Sequence, residues 1–450
     1  MLEKRVNMPK LPIRMLILAV AVVACPWGAG LSVAATAEEK ASMAQKPSPS
    51  ALRLSQDDAI ALFLRQNFDL LITKFGIEYA KGQQITARLF PNPTLYGSGI
   101  GSFLKTQFDS PSNIKKSGQA IGMVTQLFEM AGKRGYRIES AGFGTRSAEA
   151  NFEDAIRQLS FTVKDAYYRV QLAQRRLALA EENRDRFTRI LEVNTIRFKK
   201  GYIAEVDLIR IRLQVVDFQS QIIQAIQDGN AARADLRILL GLSPSADLLL
   251  TTELDYHPID PDIVALRQLA LDTRPDIRMK RLTQSQRFAD LKLAKAYRIP
   301  DVTVGAGYGV QGSVGPDLQN QAMVNLSVPL LLFNRNQGGI AQAEVSIQVA
   351  EADLQKAIVQ VENDVEIAYR NLLESRRLVE TYRGGVLEDA RLTLTIVEKA
   401  YERGGATILD LLDAARTSRT IQQNYIETLF GYQRNVFLLE SAVGREVASR

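Results

Sequence analysis

The residues of this chain that could do chemistry are concentrated in residues 400–414, AYERGGATILDLLDA. Tyr401 precedes Gly404 by three positions, and two carboxylates follow at Asp410 and Asp413. Carboxylates attract cations, and near the start of a helix they also form a solvated face that stabilises its positive end. Neither aspartate has a basic or nucleophilic partner nearby, so acid–base catalysis is not expected.

A weaker copy of this stretch occurs 203 residues earlier, at residues 197–209, RFKKGYIAEVDLI. Phe198 takes the place of the aromatic residue, Gly201 follows it by three positions, and Asp207 follows the glycine by six. An ordinary helix-turn-helix loop would explain one such stretch. Two copies in equivalent halves of the chain indicate a shared role at one end of an elongated molecule.

Each stretch must be positioned by helices on both sides of its glycine. A heptad-patterned run leads into each aromatic residue, and a second helical pattern resumes after each glycine. Glycine suits the left-handed turn that ends one helix before another begins. The two stretches are therefore predicted to be the tips of two long antiparallel helical hairpins.

The composition excludes several classes of protein. The 450 residues carry a formal net charge of +6, 24% are charged, and the mean hydropathy is -0.09, which is not typical of a helical membrane protein. No basic tract interleaves with aromatic residues, so nucleic acid is not an expected partner. One cysteine and one histidine allow neither a disulfide framework nor a zinc site of clustered Cys and His. With no Ser/His/Asp set and no phosphate-binding loop, we expect no enzyme, no cofactor and no metal site.

Residues 1–37 are predicted to be a signal peptide. Basic residues precede an apolar run at residues 15–24, which is about ten residues long and too short to span a bilayer. The sequence ATA at residues 35–37 offers a small-x-small cleavage site. The mature protein is therefore expected to leave the cytoplasm.

A lipoprotein signal ending at residue 24 is the alternative for this segment. Cys25 would then become the acylated N-terminus, although Pro26 directly after it is unusual. Both readings predict export. Residues 38–51, rich in Ala, Ser, Lys and Pro, are predicted to form a flexible lead-in.

Residues 52–241 form the first of two predicted structural repeats. The hydrophobic periods predict, in order, a helix over residues 54–89, strands over 94–103 and 120–127, a heptad-patterned helix over 146–198 and a return helix over 206–240. The heptad-patterned helix would be about 80 Å long at 1.5 Å per residue. Prolines after the first helix and Gly241 after the last mark their ends.

Residues 263–446 repeat this order after a linker at residues 242–262, and residues 447–450 are a short tail. The predicted elements are a helix over 263–298, strands over 302–310 and 322–328, a heptad-patterned helix over 341–401 and a return helix over 410–443. Pro300 and Gly444 end the first and last helices, as in the first repeat. The chain is therefore predicted to be an internal duplication.

The strands of the second repeat alternate between two kinds of side chain. One face is formed by Val302, Val304, Ala306, Tyr308 and Val310, and the other is rich in glycine. At about seven to ten residues, the strands approach the length that crosses a bilayer as β-structure. A half-buried soluble sheet would alternate in the same way. The export signal and the isolation of four strands among long helices favour a membrane barrel.

Four strands cannot close a barrel, and open strand edges are not tolerated in lipid. Strands must then come from several chains. A dimer would supply eight strands, whose interior side chains fill, whereas a trimer would supply twelve and leave an aqueous bore. The long helices, packed side by side in a ring, would continue that bore as a helical tunnel.

Residues 52–446 resemble the TolC-like outer-membrane efflux proteins. The resemblance is carried by LFPNPTL at residues 89–95, by the duplicated order of strands and helices, and by GGATILDLLDA at residues 404–414. VPLLLFNRNQGGIAQAE at residues 328–344 and AGKRG at residues 131–135 resemble the branch that serves heavy-metal RND efflux pumps.

The fold implied by this resemblance is an α+β membrane protein. It is a homotrimer whose β-barrel, built from four strands per protomer, lies in outer-membrane lipid and continues as a long periplasmic α-helical barrel. The implied partners are a periplasmic adaptor protein, which grips the closed end, and an inner-membrane RND pump. The implied function is a passive exit duct in the cell outer membrane that exports heavy-metal cations.

Other functions remain open at this point. Drug efflux and type I protein secretion use the same kind of channel, because the inner-membrane pump selects the cargo. A periplasmic coiled-coil scaffold, a protein of a different class, would account for the long helices. It would not account for the glycine-rich alternating strands.

By residue, the resemblance places Asp410 and Asp413 in an acidic ring that narrows the periplasmic entrance. It places Asp207 and Tyr401 in the network that gates this entrance. The arginine that locks the family's gate falls on Ala406, so that salt bridge is absent from this chain. The gate of this chain must therefore be held by other contacts.

Arg403 is a candidate to replace the missing arginine, because it lies three positions before it. The tip residues Gly201, Tyr202, Gly404 and Gly405 are expected to dock the adaptor. They lie at the free end of the hairpins, and glycine permits close approach of another backbone.

Overall fold

The computed structural model describes residues 52–100, 119–312 and 318–447. The predicted signal peptide, Cys25 and the lead-in at residues 38–51 lie outside the described residues. So do residues 448–450 of the tail and most of the two connections between paired strands. The side chains of residues 100, 311, 312, 318 and 319 are likewise outside the description.

The described residues form two repeats of helices and strands in the predicted order. The elements of the first repeat are β1 (Leu52–Leu54), α1 (Gln56–Gln66), α2 (Phe68–Arg88), β2 (Thr94–Ile100), β3 (Gln119–Phe128), α3 (Lys133–Lys199) and α4 (Glu205–Leu239). Those of the second are β4 (Leu248–Leu250), α5 (Ile263–Thr273), α6 (Pro275–Ala296), β5 (Val302–Gly312), β6 (Leu318–Ser327), α7 (Gln337–Thr381), α8 (Leu387–Glu402) and α9 (Ile408–Val443). No described helix is long and apolar enough to cross a membrane.

The single helix predicted at the start of each repeat is broken in two. In the first repeat Asn67 has an extended backbone. Its side-chain Oδ1 accepts from the Leu70 amide at 2.9 Å, and its side-chain Nδ2 donates to the Leu239 carbonyl at 2.8 Å. In the second repeat Pro275 begins α6 and holds Arg274 extended, because the residue before proline is excluded from the helical region. The prediction of one continuous helix was wrong at both places. Pro275 is a local sign of the second break that the prediction did not use, whereas no periodic pattern reports the bond between Asn67 and Leu239.

The break in each repeat packs against the end of the return helix of that repeat. Asn67 reaches the last carbonyls of α4, and the Arg274 guanidinium donates to the Ala442 carbonyl near the end of α9 at 3.1 Å. Gly241 and Gly444, which follow the two return helices, both have positive φ angles, 63° and 84°. The two repeats therefore use the same left-handed helix ending and the same docking contact.

Replacing Gly241 by alanine should lower the temperature of heat-induced unfolding by several degrees. A Cβ there would lie 2.7 Å from the Gln66 carbonyl oxygen and would also occupy a left-handed conformation, which costs about 1–2 kcal/mol. Gly201→Ala is the matched control, because Gly201 has a φ of 76° but no atom within 4 Å of the added Cβ. Equal unfolding temperatures for the two variants, at one heating rate, would contradict the close contact.

The linker contributes a strand that the sequence does not predict. Leu248–Leu250 in the linker pairs in parallel with Leu52–Leu54. The Tyr167 hydroxyl of α3 donates to the Leu54 carbonyl at 3.0 Å and accepts from the Thr252 amide at 3.0 Å. Three residues are too few to show the alternation that marks a strand. The strand pair is therefore recognised only from the three-dimensional structure.

The four longer strands form one antiparallel sheet in the order β2-β3-β5-β6. Strand β3 pairs with β5, which joins the two repeats in one sheet, and Gly122 lies opposite Tyr308. Strands β5 and β6 are longer than predicted, ending at Gly312 and beginning at Leu318. Within the described residues β2 and β6 are the edge strands, each with one unpaired side.

The long helices begin earlier than the heptad pattern predicts. Helix α3 contains 67 residues, about 100 Å, and begins after Gly132, which has a φ of 72°. Helix α7 begins after Asn336, which has a φ of 57°. The first turns of both helices contain small and polar residues, so the heptad pattern does not extend to the start of either helix. In the structure each helix begins directly after a residue in the left-handed conformation.

A short π-helical turn, Tyr382–Val386, separates α7 from α8. Gly385 in this turn has a φ of 130°, a backbone angle that residues other than glycine rarely adopt. The turn lies at the adjacent glycines Gly384 and Gly385, which interrupt the heptad-patterned helix of the second repeat.

The buried side chains form two separate clusters. The larger lies near the strand pair β1–β4 and includes Phe63, Tyr167 and Tyr432, which are fully buried. The smaller lies near the two hairpin turns and is centred on Phe187, Phe218, Ile211, Leu394 and Leu411. The second cluster joins helices of both repeats, and it positions the turns that carry the predicted site.

Candidate functional site

The first hairpin turn joins α3 to α4. Gly201 has a φ of 76°, and the Tyr202 amide donates to the Arg197 carbonyl at 2.9 Å, which closes the end of α3. The Tyr202 side chain is 76% exposed. This turn therefore presents a glycine backbone and an aromatic ring to any partner.

The second hairpin turn joins α8 to α9 in the same way. Gly404 has a φ of 82°, and the Gly405 amide donates to the Ala400 carbonyl at 2.8 Å. Both glycines are exposed, and no atom lies within 4 Å of a Cβ placed at Gly404. The left-handed turns predicted at Gly201 and Gly404 are confirmed.

Thr407 and Asp410 begin α9 as a capping box. The Asp410 carboxylate accepts from the Thr407 amide at 2.8 Å and from its hydroxyl at 2.7 Å, and the Asp410 amide donates to Thr407 Oγ1 at 3.2 Å. These bonds from the Thr407 side chain and backbone hold the pKa of Asp410 below its ordinary value. Asp410 is therefore a helix cap as well as an exposed anion.

Asp413 lies one helical turn after Asp410, and both side chains are exposed. Leu411 between them is fully buried in the cluster beside the turns, which fixes the rotation of α9. Residues three apart on a helix share one face. The two carboxylates therefore project together from the start of α9.

Tyr401 forms a contact with the opposite hairpin that the sequence does not predict. Its hydroxyl donates to Asn194 Oδ1 at 2.7 Å, and Asn194 Nδ2 donates to the Ile190 carbonyl at 2.8 Å. Tyr401 is 9% exposed and Asn194 is 1% exposed. Burial raises the pKa of Tyr401, so its hydroxyl stays a donor at neutral pH.

Arginines surround this bond on both sides. Arg197 donates to the Glu402 carbonyl at 2.8 Å, and its guanidinium lies 5.9 Å from the centre of the Tyr401 ring. Arg186 of α3 pairs with Glu398 of α8 at 3.2 Å. Together these contacts join the end of α3 to the end of α8 across the two hairpins.

The structure brings together only part of the predicted gate. An open cavity of about 550 Å³ between the turns is lined by residues that include Tyr202, Asp207, Tyr401, Arg403 and Gly404. Asp207 pairs with Arg210 of its own helix at 3.4 Å, while the Tyr401 hydroxyl is taken by Asn194. The polar Asn194 within an apolar heptad seam was the available signal for this partner.

Ala406 stands where the resemblance places an arginine, and its side chain packs against the cluster beside the turns. Arg403 lines the same cavity, but it forms no ion pair with any described residue. Arg197 contacts both the Tyr401 ring and the backbone of Glu402. Asp207, Asp410 and Asp413 as gate residues stay predictions.

No group of three or more His, Cys, Asp or Glu side chains that could hold a metal ion occurs within the described ranges.

Comparison with known proteins places these features in a family. The sequence model of the family described as outer membrane efflux protein matches residues 59–242 and 266–445. The cobalt-zinc-cadmium resistance protein CzcC of Cupriavidus metallidurans is 24% identical over 399 residues, which cover 89% of this chain and 92% of CzcC. The outer membrane protein TolC of Vibrio cholerae is 24% identical over 317 residues, which cover 68% of this chain and 72% of TolC.

The fold is shared with solved structures. A crystal structure of CusC superposes with a TM-score of 0.73 at 19% sequence identity, covering 87% of this chain and 92% of that chain. CusC forms a transmembrane channel. Similarity at this level of identity concerns the fold.

Proposed function

We propose that this chain, which belongs to the outer membrane efflux protein family, is the outer-membrane exit duct of a tripartite efflux system. The observation that carries the proposal is the pair of hairpin turns, each with a positive-φ glycine, held side by side by the Tyr401–Asn194 bond. A duct of this kind performs no catalytic step. It guides cargo from a periplasmic complex to the cell exterior.

The unpartnered edges of the chain favour a closed ring of three copies. Beside the sheet, the helices pack in the order α2, α3, α6 and α7, so α2 and α7 lie at opposite edges, below the edge strands β2 and β6. Both edge helices expose apolar side chains, on α2 Leu71, Ile72, Phe75 and Tyr79, and on α7 Val345, Val349 and Val359. An interface between unlike edges is head-to-tail, and it gives a ring when the rotation between neighbouring copies closes. Three copies would supply twelve strands and an aqueous bore, as a homotrimer in outer-membrane lipid.

The hairpin turns would lie at the periplasmic end, opposite the strands. The exposed glycines and Tyr202 offer a surface on which a periplasmic adaptor can dock, and the adaptor would connect the duct to an inner-membrane RND pump. Asp410 and Asp413 from three copies would place six carboxylates around the entrance. Crowded in a narrow throat, they would form a strongly negative constriction.

Heavy-metal cations are the cargo that we propose. The support is the similarity to CzcC, whose name refers to cobalt, zinc and cadmium resistance, together with the exposed carboxylates. Drug efflux or type I protein secretion through the same channel is the second candidate. This candidate is supported by the similarity to TolC and to the alkaline protease secretion protein AprF, which is 23% identical over 294 residues.

Replacing Gly404 by tryptophan should abolish efflux and leave the trimer intact. The turn is open around Gly404, so a large side chain meets no atom of the protomer, and it covers the backbone that the adaptor would approach. The φ of 82° strains any side chain there by about 1–2 kcal/mol, which a matched control must reproduce. The measurement is metal tolerance of cells that depend on this channel, with trimer content determined in detergent extracts. Gly404→Ala is the control, because alanine bears the same left-handed strain as tryptophan but adds only a methyl group. Wild-type tolerance with tryptophan would exclude docking at this turn.

A further inference from the structure

The chain crosses four times between its sheet and its helices, and this boundary exposes many apolar side chains. The most exposed of them are Leu89, Phe90, Phe128, Leu330, Leu332 and Phe333, and Phe333 is 90% exposed. Leu330, Leu332 and Phe333 lie together in the segment that leaves β6, and an exposed apolar cluster of this kind marks a binding site for a protein or a membrane.

Two cations at this boundary, Lys133 and Arg137, are neutralised by carboxylates, whereas Arg134 donates to the Arg88 carbonyl at 2.9 Å and lies over the Phe90 ring. Lys133 is 2% exposed, pairs with Asp301 at 2.7 Å and donates to the Ile299 carbonyl at 2.7 Å. Arg137 forms two bonds to the Glu129 carboxylate, at 2.5 and 3.0 Å. These charges are therefore satisfied within the protomer.

In the second repeat two exposed arginines at the boundary lack such partners. Arg298 and Arg335 form no ion pair with any residue that the structure describes, and the Arg335 guanidinium donates only to the Leu331 carbonyl at 3.2 Å. Both line an open cavity of about 530 Å³ between the end of α6 and the start of α7. The one carboxylate of its lining, Glu344, has Lys295 Nζ at 3.8 Å.

The rest of this cavity is largely apolar. Leu332, Phe333 and Ile340 line it beside the two guanidinium groups. A ligand that fits must carry an anionic group for the arginines and a hydrocarbon part for the apolar side chains.

We propose that this cavity binds an anionic phospholipid of the periplasmic leaflet, with its phosphate at Arg298 and Arg335 and its first acyl carbons on Leu332 and Phe333. The inference rests on the proposed function, which places the sheet in the outer membrane. The boundary between sheet and helices then lies at the level of the lipid headgroups. Arginine suits this layer, because its aliphatic stem lies along apolar surface while its guanidinium reaches the headgroups.

A neighbouring copy would not neutralise the two arginines. In the proposed ring, β6 adjoins β2 of the next protomer, and the segment that leads into β2 is RLFPNPT at residues 88–94. This segment adds another arginine and contains no carboxylate. Charge complementarity therefore favours lipid phosphate over a second copy of the chain.

Native mass spectrometry of the purified full-length mature protein tests this inference. The protein is titrated in detergent with phosphatidylglycerol and, separately, with phosphatidylcholine, and bound lipids are counted per chain. Arg298→Ala with Arg335→Ala removes both cations, and Arg298→Lys with Arg335→Lys retains the charge. The control, Arg281→Ala with Arg391→Ala, removes two exposed arginines that lie away from the boundary and form no ion pair with described residues.

We expect saturation at one phosphatidylglycerol per chain for the wild type. The double alanine variant should bind it roughly thirtyfold more weakly, about fivefold for each cation lost near an anionic headgroup. The double lysine variant should bind within about fivefold of the wild type, and the control variant should match it. Phosphatidylcholine, which has no net charge, should bind the wild type more weakly.

Equal phosphatidylglycerol binding by the wild type and the double alanine variant would overturn the inference, as would a wild type that retains no lipid. If the alanine variant fails to assemble, the wild type alone still tests the inference. Equal affinity of the wild type for phosphatidylglycerol and phosphatidylcholine would then overturn the inference. The same spectra report the number of chains in the complex. A mass other than that of three chains would count against the proposed duct, while the lipid count per chain would still be read.

Discussion

Neutralising Asp410 and Asp413 together should largely remove cation selectivity from the channel in planar bilayers. Two carboxylates per chain would become six around the entrance of a trimer. In a partly water-excluded throat, one charge pair about 4 Å apart contributes about 4 kcal/mol at an effective dielectric constant near 20. Block by a trivalent cation should therefore weaken by at least about a hundredfold.

Asparagine is the appropriate replacement at both positions. The Asp410 carboxylate caps α9 through the Thr407 amide, and an amide oxygen can still accept that bond. Loss of selectivity can then be separated from loss of the helix start. The control is Glu388→Gln with Asp389→Asn, which removes two exposed carboxylates from α8.

The two readings of these aspartates predict different outcomes. Exposed carboxylates far from the pore axis are screened within roughly 10 Å at ordinary salt, so they would leave selectivity and block unchanged. If the Asp410 and Asp413 variant behaves like its control, with trimers intact, the ring is excluded and the carboxylates are a solvated helix face.

Tyr401→Phe should increase the open probability of the channel on the order of a hundredfold. The variant leaves the Asn194 oxygen buried without its donor, which destabilises the contact between the hairpins by about 1 kcal/mol or more in each protomer. We expect this contact to hold the closed state. Three protomers acting together give about 3 kcal/mol, and every 1.4 kcal/mol is tenfold. Single-channel recording measures the open probability directly.

Tyr432→Phe is the matched control for this variant. Tyr432 is also buried, and its hydroxyl donates to the His257 carbonyl at 2.7 Å, in the cluster near the strand pair β1–β4. Both variants lose one buried hydroxyl, but only one loses the contact between the hairpins. A similar rise in open probability for both would assign the effect to general destabilisation, and no rise for Tyr401→Phe would remove the bond from the gate.

Much of the fold follows from local pattern. The positive-φ glycines at Gly201 and Gly404 are required by left-handed turns, and a turn between two heptad runs is a property of adjacent residues. Strand positions follow from alternation in the same way. The residues that determine these turns and strands lie within about ten positions of them.

The remaining features depend on partners distant in sequence. Asn67 breaks its helix by bonding to a carbonyl at residue 239, and Leu248–Leu250 becomes a strand because it meets Leu52–Leu54. Asn194 selects Tyr401 across 207 positions. No periodic pattern reports such pairs. The sequence therefore identified Tyr401 as a candidate gate residue but did not identify Asn194, which accepts its hydrogen bond.

Three copies of the chain are proposed to close head-to-tail, with β6 of one protomer beside β2 of the next. Disulfide trapping tests it most directly, in a chain whose Cys25 is replaced by serine. Leu95→Cys on β2 is combined in turn with Cys at Val324, Asn325 and Leu326 on β6. Within one chain these positions are three strand spacings apart, about 14 Å, too far for a disulfide.

Oxidation in intact outer membranes should give cross-linked dimers and trimers at one register, and nothing larger. A ladder that stops at the dimer, one that extends beyond the trimer, or no cross-link at any register would contradict the ring of three on which this account depends.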